Sequence, residues 1–416
     1  MRIALVLSLL AALFIASCGD DEMTPAGDGD TTKPAADTTK PDKPAKKRPR
    51  MSPDATLVKT ELKMVENMQD YEKQLATARE KAAQHSMKAD DTQFYVGELY
   101  KIAQDPAGAA KAFERFARGC PDSVNHKTAL YYAGLQYVDA GEMEKAESFH
   151  QELVAKYPER TDLVKSLGKK LGEGFAAAGD AAKAITYLKD ASNAGDAFAT
   201  IQLIQMSWIE GDFDAARAAA AKLVEINAGA KPKEQERAAI YKAIADRCGK
   251  PAKEFSVEGW AENADFNASD YKGKVYVVYL WKMPVWNNAV QTTKVMAWLN
   301  LQYGEKGLKF VGLNRPGGLD PEDRNAGSGR DLSTDAELRA ISVWASQDDF
   351  GVKWPLGLCQ GDADFEFYGW WGGSIPAIAL VDKQGRLRFV QHGVGPFGDK
   401  NPIPMFQAAI RKCLAE

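Results

Sequence analysis

Between residues 91 and 231 the chain repeats a pattern of small and large side chains, and this repetition restricts its architecture more than any other feature. Gly97, Tyr100, Ala109, Phe113, Phe116 and Pro121 recur one unit later as Gly134, Tyr137, Ala146, His150, Leu153 and Pro158. Gly172, Phe175, Ala184, Leu188 and Ala191 form a third unit, and Gly211-Asp212, Ala216 and Leu223 a weaker fourth. Small residues let two antiparallel helices approach, and a large one fills the gap between neighbouring pairs. Each pair buries its apolar face by stacking on the next. Ala140-Gly141-Glu142 and Ala178-Gly179-Asp180 supply helix stops followed by caps. The expectation is an α-solenoid. His150 takes the place of a buried aromatic and reads as a core histidine rather than a ligand.

These offsets resemble the tetratricopeptide family over Asp91 to Lys231, and the helical part as a whole is expected to span 91–248. The spacings of 37, 38 and 32 residues are irregular beside the usual repeat of about 34. The resemblance implies a protein or peptide partner bound along a concave face. Upstream, Val58, Leu62, Val65, Met68 and Leu75 follow steps of three and four. They predict one long amphipathic helix within 53–90 that caps the array.

The N-terminus reads as an address. Arg2 precedes an apolar run from Ile3 to Ala16, too short to span a bilayer and suited to a signal sequence, residues 1–18. Its end, Leu13-Phe14-Ile15-Ala16-Ser17-Cys18, resembles the bacterial lipobox. That implies a lipid on Cys18 and a membrane-anchored lipoprotein facing the periplasm or the cell surface. Residues 19–52 hold few large apolar side chains and many Asp, Thr, Lys and Pro. Such a segment cannot bury enough surface to offset its ordering entropy, so it is expected to be a disordered tether.

From Gly249 the texture changes to short apolar runs separated by helical stretches. Strands are expected at Val275–Leu280, Leu308–Asn314, Ala377–Val381 and Arg386–Val390. Helices are expected near Asn288–Gly304 and Ile403–Leu414. The order suggests an α/β domain over 249–416, a central sheet with helices on both faces. Gly249-Lys250-Pro251-Ala252 leading to Phe255, Asp270-Tyr271-Lys272-Gly273-Lys274, Leu280-Trp281 and Ser374-Ile375-Pro376 carry a resemblance to the thioredoxin-like fold. The branch is that of the periplasmic TlpA and redoxin proteins, related to the AhpC/TSA peroxiredoxins. Residues 315–335 look like an insertion or flexible loop.

The resemblance places the reactive turn directly after the first of these strands. In the family a W-C-x-x-C motif stands there, its first thiol at a helix N-terminus that lowers its pKa. Counted from Trp281, the two cysteine positions fall on Val285 and Asn288. The peroxiredoxin pattern started at Pro284 puts Gln291 at the cysteine. No cysteine lies between Cys248 and Cys359. Catalytic residues are therefore not expected at this turn. With five cysteines, no C-x-x-C pair and four scattered histidines, neither a metal site nor a cofactor is expected. A net charge of −4 argues against nucleic acid as a partner.

Two function classes compete. In the first, the array and a redox-inactive thioredoxin-like domain form a protein- or peptide-binding scaffold. Its contacts would be Met283, Trp286, Trp370, Trp371, Ile375 and Pro376 on the two loops that in the family grip an extended peptide. In the second, the chain is a thiol-disulfide oxidoreductase or peroxiredoxin-like antioxidant enzyme using a non-standard cysteine. A variant keeps one reactive thiol, Cys359, for a mixed disulfide with a partner. A Cys359–Cys413 disulfide is a further option for these thiols.

Overall fold

Among the described residues, eleven α-helices precede the first strand. The computed structural model describes residues 51–86, 90–262, 265–282, 287–316, 333–347, 351–368, 376–392 and 403–416. Helices α1 (Pro53–Glu66) and α2 (Tyr71–His85) come first, then α3 (Thr92–Ile102) with α4 (Pro106–Gly119) and α5 (His126–Asp139) with α6 (Met143–Lys156). Next are α7 (Thr161–Ala178) with α8 (Ala181–Asn193), α9 (Ala197–Glu210) with α10 (Phe213–Ile226), and α11 (Pro232–Arg247). Aspartates start many of them: the Asp105, Asp180, Asp196 and Asp212 carboxylates each accept a backbone N–H two or three residues into the helix they precede.

The single long helix expected over 53–90 is two helices, which is a correction. Asn67 ends α1, and Asp70 starts α2 by accepting from the Lys73 N–H at 3.3 Å. An apolar stripe at steps of three and four survives such a break, because an antiparallel hairpin buries the same kind of stripe from both arms. His85 Nε2 lies 3.0 Å from Glu61 Oε2 and clips the arms together. The hairpin stacks on α3, so the array begins one pair earlier than the repeat signature does.

Gly97 shows why the pattern demands glycine. A Cβ there would sit 2.7–2.8 Å from three ring atoms of Phe113, the aromatic sixteen residues on. His150 occupies the corresponding place one unit later, but the fully buried aromatic is its neighbour Phe149. His150 is half-buried, with Nε2 3.2 Å from the Val164 carbonyl and its ring edge-on to Tyr187. Burial lowers its pKa, which suits a neutral packing histidine.

First helices of successive pairs adjoin each other, α1 with α3, α5 with α7 and α7 with α9. They form the inner wall of the array, and the second helices form the outer one. Helix α9 (AFATIQLIQMSWIE) is apolar nearly all round, and from Ala199 to Ile209 only Leu203 is not buried. A helix of that kind needs cover on every side.

The C-terminal domain supplies that cover. Its strands are β1 (Val257–Trp260), β2 (Tyr276–Lys282), β3 (Lys309–Arg315), β4 (Leu356–Cys359), β5 (Ala377–Val381) and β6 (Leu387–His392). Helices α12 (Asn287–Tyr303), α13 (Thr334–Ala345), α14 (Ala363–Tyr368) and α15 (Ile403–Ala415) complete it. The sheet order is β1-β4-β3-β2-β5-β6. β2 runs parallel to β3 across the α12 crossover and antiparallel to β5, and β5 and β6 form a hairpin. This β-α-β unit flanked by a hairpin and closed by a helix meets the thioredoxin-like expectation.

Both domains belong to one compact unit, Arg50–Glu416. One apolar cluster runs from Ala109 in the array to Cys413 in α15. At the joint Arg388 of β6 is 2% exposed, with its Nε donating to the Trp208 carbonyl and an Nη to that of Ile209, each at 2.9 Å. These are carbonyls at the C-terminal end of α9, where the negative end of the helix dipole lies; that of Trp208 also accepts from the Gly211 N–H at 3.1 Å. Glu416 at 2.7 Å and Asp382 at 3.8 Å balance the guanidinium. Gly211, at φ +77°, leaves the space: a Cβ would come within 2.9–3.0 Å of that guanidinium. Phe389 packs edge-on against Trp208, and Lys412 pairs with Glu210 at 2.8 Å.

Candidate functional site

The candidate site lies where β2 ends and α12 begins. Residues Val277 to Trp281 are buried without interruption, as a central strand covered on both faces requires. Side chains alternate along the strand, so Tyr279 and Trp281 share one face and Lys282 takes the other. Tyr279 Oη lies 3.1 Å from Thr293 Oγ1 of α12, which ties the helix to the strand behind it. Trp281 is fully buried, stacked on Trp344 of α13 with ring centroids 4.5 Å apart and parallel to Tyr279 at 6.3 Å. Leu280 pairs with Ala377, so the antiparallel register carried one step further sets buried Pro376 opposite Trp281.

On the other face Lys282 stands in register with Arg315 at the end of β3. Arg315 grips Asp362 with two parallel bonds, Nε to Oδ1 at 2.5 Å and Nη to Oδ2 at 2.6 Å. That hydrogen-bonded ion pair holds the Asp362 carboxyl below its ordinary pKa, and the charge of Lys282 adds to it. The strand ends facing the turn therefore carry two cations and one anion. Neither Arg315 nor Asp362 was anticipated, because nothing local in the sequence links positions 47 residues apart.

The register of β2 and β5 sets Pro376 level with Trp281. Met283, Val285, Trp286, Trp370, Trp371 and Ile375 lie outside the described residues, as do Cys18 and most of the loop expected at 315–335. Asn288 falls in the first turn of α12.

The thiols can be placed. Cys120, Cys248, Cys359 and Cys413 are all free, so the Cys359–Cys413 disulfide is not formed. Cys359 was a candidate for a reactive thiol, and the structure corrects this. It ends β4 fully buried, between the parallel strand β3 and the antiparallel strand β1. Burial first, then the carboxylate of Asp364, to which its thiol hydrogen-bonds, pushes its pKa far up. A reactive thiol needs the opposite environment, exposed and electropositive. Asp364 is committed elsewhere too, accepting from Lys253 Nζ at 2.5 Å and the Ser256 N–H at 2.7 Å. Cys413 is likewise buried and pushed up to about 12. Cys120 is half-buried at the end of α4, and burial raises its pKa as well. No group of His, Cys, Asp or Glu among the described residues has the arrangement of a metal site.

A tetratricopeptide repeat family model matches residues 128–160, which cover most of α5 and all of α6. Among solved structures, a thiol-disulfide isomerase from Corynebacterium glutamicum is 22% identical; 40% of this chain and 98% of that one are covered, with a TM-score of 0.30. A thioredoxin-like protein solved in its oxidised form is 18% identical over 39% of this chain and 95% of its own, with a TM-score of 0.29. A structure from Chlorobium tepidum assigned as a thiol:disulfide interchange protein DsbE is 17% identical over 39% and 97%, again at 0.29. No curated protein matches the chain. The helical array thus carries a tetratricopeptide match over one of its helix pairs, and the domain beside it has the strand order and hairpin of a thioredoxin-like sheet.

Proposed function

We propose that this protein is a protein- or peptide-binding scaffold whose thioredoxin-like domain has kept its frame and lost its redox chemistry. One observation carries the reading: the stretch that follows β2 and leads into α12, Met283 to Gln291, contains no cysteine. The thiols elsewhere do not compensate, since Cys248, Cys359 and Cys413 are buried with raised pKa values. A disulfide-exchange or peroxide-reducing step needs an accessible thiolate. Helical repeats of this type supply partner surfaces, which supports binding as the function. Trp286, Trp370 and Trp371, with Pro376, are the contacts this reading proposes.

The test is an insulin-reduction and peroxide-consumption assay on residues 51–416. No thiol-dependent turnover is expected. Turnover abolished by Cys359→Ser would overturn the scaffold reading in favour of an oxidoreductase using a non-standard cysteine.

The same proposal puts the chain at a membrane through a lipid on Cys18, with residues 19–52 as its tether. Incorporation of labelled lipid should vanish in Cys18→Ser, and labelling that persists would refute the anchor. No described helix is long and apolar enough to cross a membrane.

A further inference from the structure

The inner wall of the array is not the same along its length. Three residues before and one after the repeat glycine, the first helices α3, α5 and α7 carry Phe94 and Glu98, Tyr131 and Leu135, Lys169 and Glu173. All six are only half-buried. The equivalent residues of α9, counted from its turn at Gly211, are Ile201 and Gln205, and they are 8% and 5% exposed. Gln205 donates to the Gln391 amide oxygen of β6 at 3.3 Å, and Trp208, one turn further on, packs against Phe389. Helix α15 reaches both α7 and α9. At the α7–α8 turn, a Cβ on Gly179 would lie 2.8 Å from that of Ala408.

We propose that the thioredoxin-like domain, through β6 and α15, is the standing occupant of the array's inner wall at α9. The length of wall open to a partner therefore ends at α7. This specifies the binding surface of the scaffold reading and does not depend on the chemistry of the turn. The occupancy is permanent rather than a displaceable latch, because it combines a continuous apolar core with a buried cation. Pulling β6 away would take the buried Arg388 guanidinium from both α9 carbonyls it bonds. The charges along the open stretch neutralise each other, Glu98 with Lys101 at 2.9 Å and Lys169 with Asp196 and Glu173. Of the apolar residues there, Tyr131 and Leu135 are half-buried, and the Phe94 ring packs edge-on against Phe113 and Phe116 of α4.

The test places a cysteine at matched positions of the wall in residues 51–416, Leu135→Cys on α5 and Gln205→Cys on α9, and follows reaction with a maleimide. Gln205→Cys should react at least about 100-fold more slowly than Leu135→Cys, since labelling there waits on opening of the joint. Arg388→Leu should remove that protection. Equal rates at the two positions in the otherwise unaltered protein would overturn the proposal. Hydrogen exchange guards against a misfolded variant: in the unmodified protein α9 amides should exchange as slowly as those of α5. Fast exchange confined to α9 would also sink the proposal.

Discussion

A single side chain, Arg388, illustrates how much of this molecule depends on buried polar bonds. Its guanidinium bonds two helix-end carbonyls and faces two carboxylates, and it shares them: Asp382 also holds Arg386, and the Trp208 carbonyl also accepts from the Gly211 N–H. Truncating one member of such a buried set usually removes about 3–5 kcal/mol. Arg388→Leu should therefore lower the denaturation midpoint of residues 51–416 by that order, whereas Lys412→Ala, at the half-exposed rim, should shift it by less than about 1 kcal/mol. The thiols make a second prediction at this scale. Cys248, Cys359 and Cys413 have folded pKa values above their ordinary value, so each stabilises the fold below about pH 8.5, the unperturbed thiol pKa. That contribution is lost as pH rises toward the folded value. Stability should therefore decline progressively above pH 8.5, and Cys413→Ala should make the decline shallower, as denaturant midpoints taken across this range will show. Native protein at pH 8 should leave these three thiols unmodified by iodoacetamide, and denatured protein should expose them.

Among the elements, the close approaches are most sensitive. Gly97 sits against the face of Phe113, a ring that cannot fold away as an aliphatic chain end can. Gly97→Ala should lower stability by about 1–3 kcal/mol through overpacking. Gly134→Ala, which meets the flexible tip of Leu167, should do less; parallel urea titrations decide the order. Elements with a strong local signal were legible in the sequence. The strands now seen at Tyr276–Lys282, Lys309–Arg315 and Ala377–Val381 are apolar runs bounded by turn residues, and each falls within two residues of its expected place. Strands β1 and β4 and helices α13 and α14 were not foreseen. Val257–Trp260 and Leu356–Cys359 are four-residue segments whose strand character comes from pairing with each other and with β3. The weak fourth repeat also has a tertiary cause. Helix α9 departs from the pattern because its inner face meets another domain rather than solvent. Of the candidate site, the motifs around Trp281 and Pro376 were legible, and their shared level in the sheet follows from the β2–β5 register. The Arg315–Asp362 pair was invisible, since it depends on where two separate strand ends finish.

The whole molecule behaves as one object if its apolar core is continuous. Cutting after the array, at residues 51–248, should bare Ile201, Gln205 and Trp208 together with the α9 carbonyls that Arg388 holds. Exposed patches of that kind promote association. The isolated array is expected to self-associate in sedimentation velocity, with Trp208 emission shifted to longer wavelength, while 51–416 should run as a single species. Thermal unfolding of 51–416 should show one cooperative transition. Two well-separated transitions would mean that the joint contributes little.

The crossing between the two domains has a mechanical consequence. The chain passes from one to the other without slack: the Gly249 N–H donates to the Leu387 carbonyl at 2.8 Å, the Leu387 N–H to Lys250 at 3.0 Å and the Ala252 N–H to Gly385 at 2.8 Å. The connection is zipped along the sheet edge beside the Arg388 joint. A pull applied through the N-terminal segment would meet no compliant spacer at this point. Tension would reach the sheet as shear across several bonds at once rather than by peeling them singly. In a single-molecule stretching experiment the joint should give way in the same event as the sheet, so that a partner held by the helices transmits its load directly to the domain beside them.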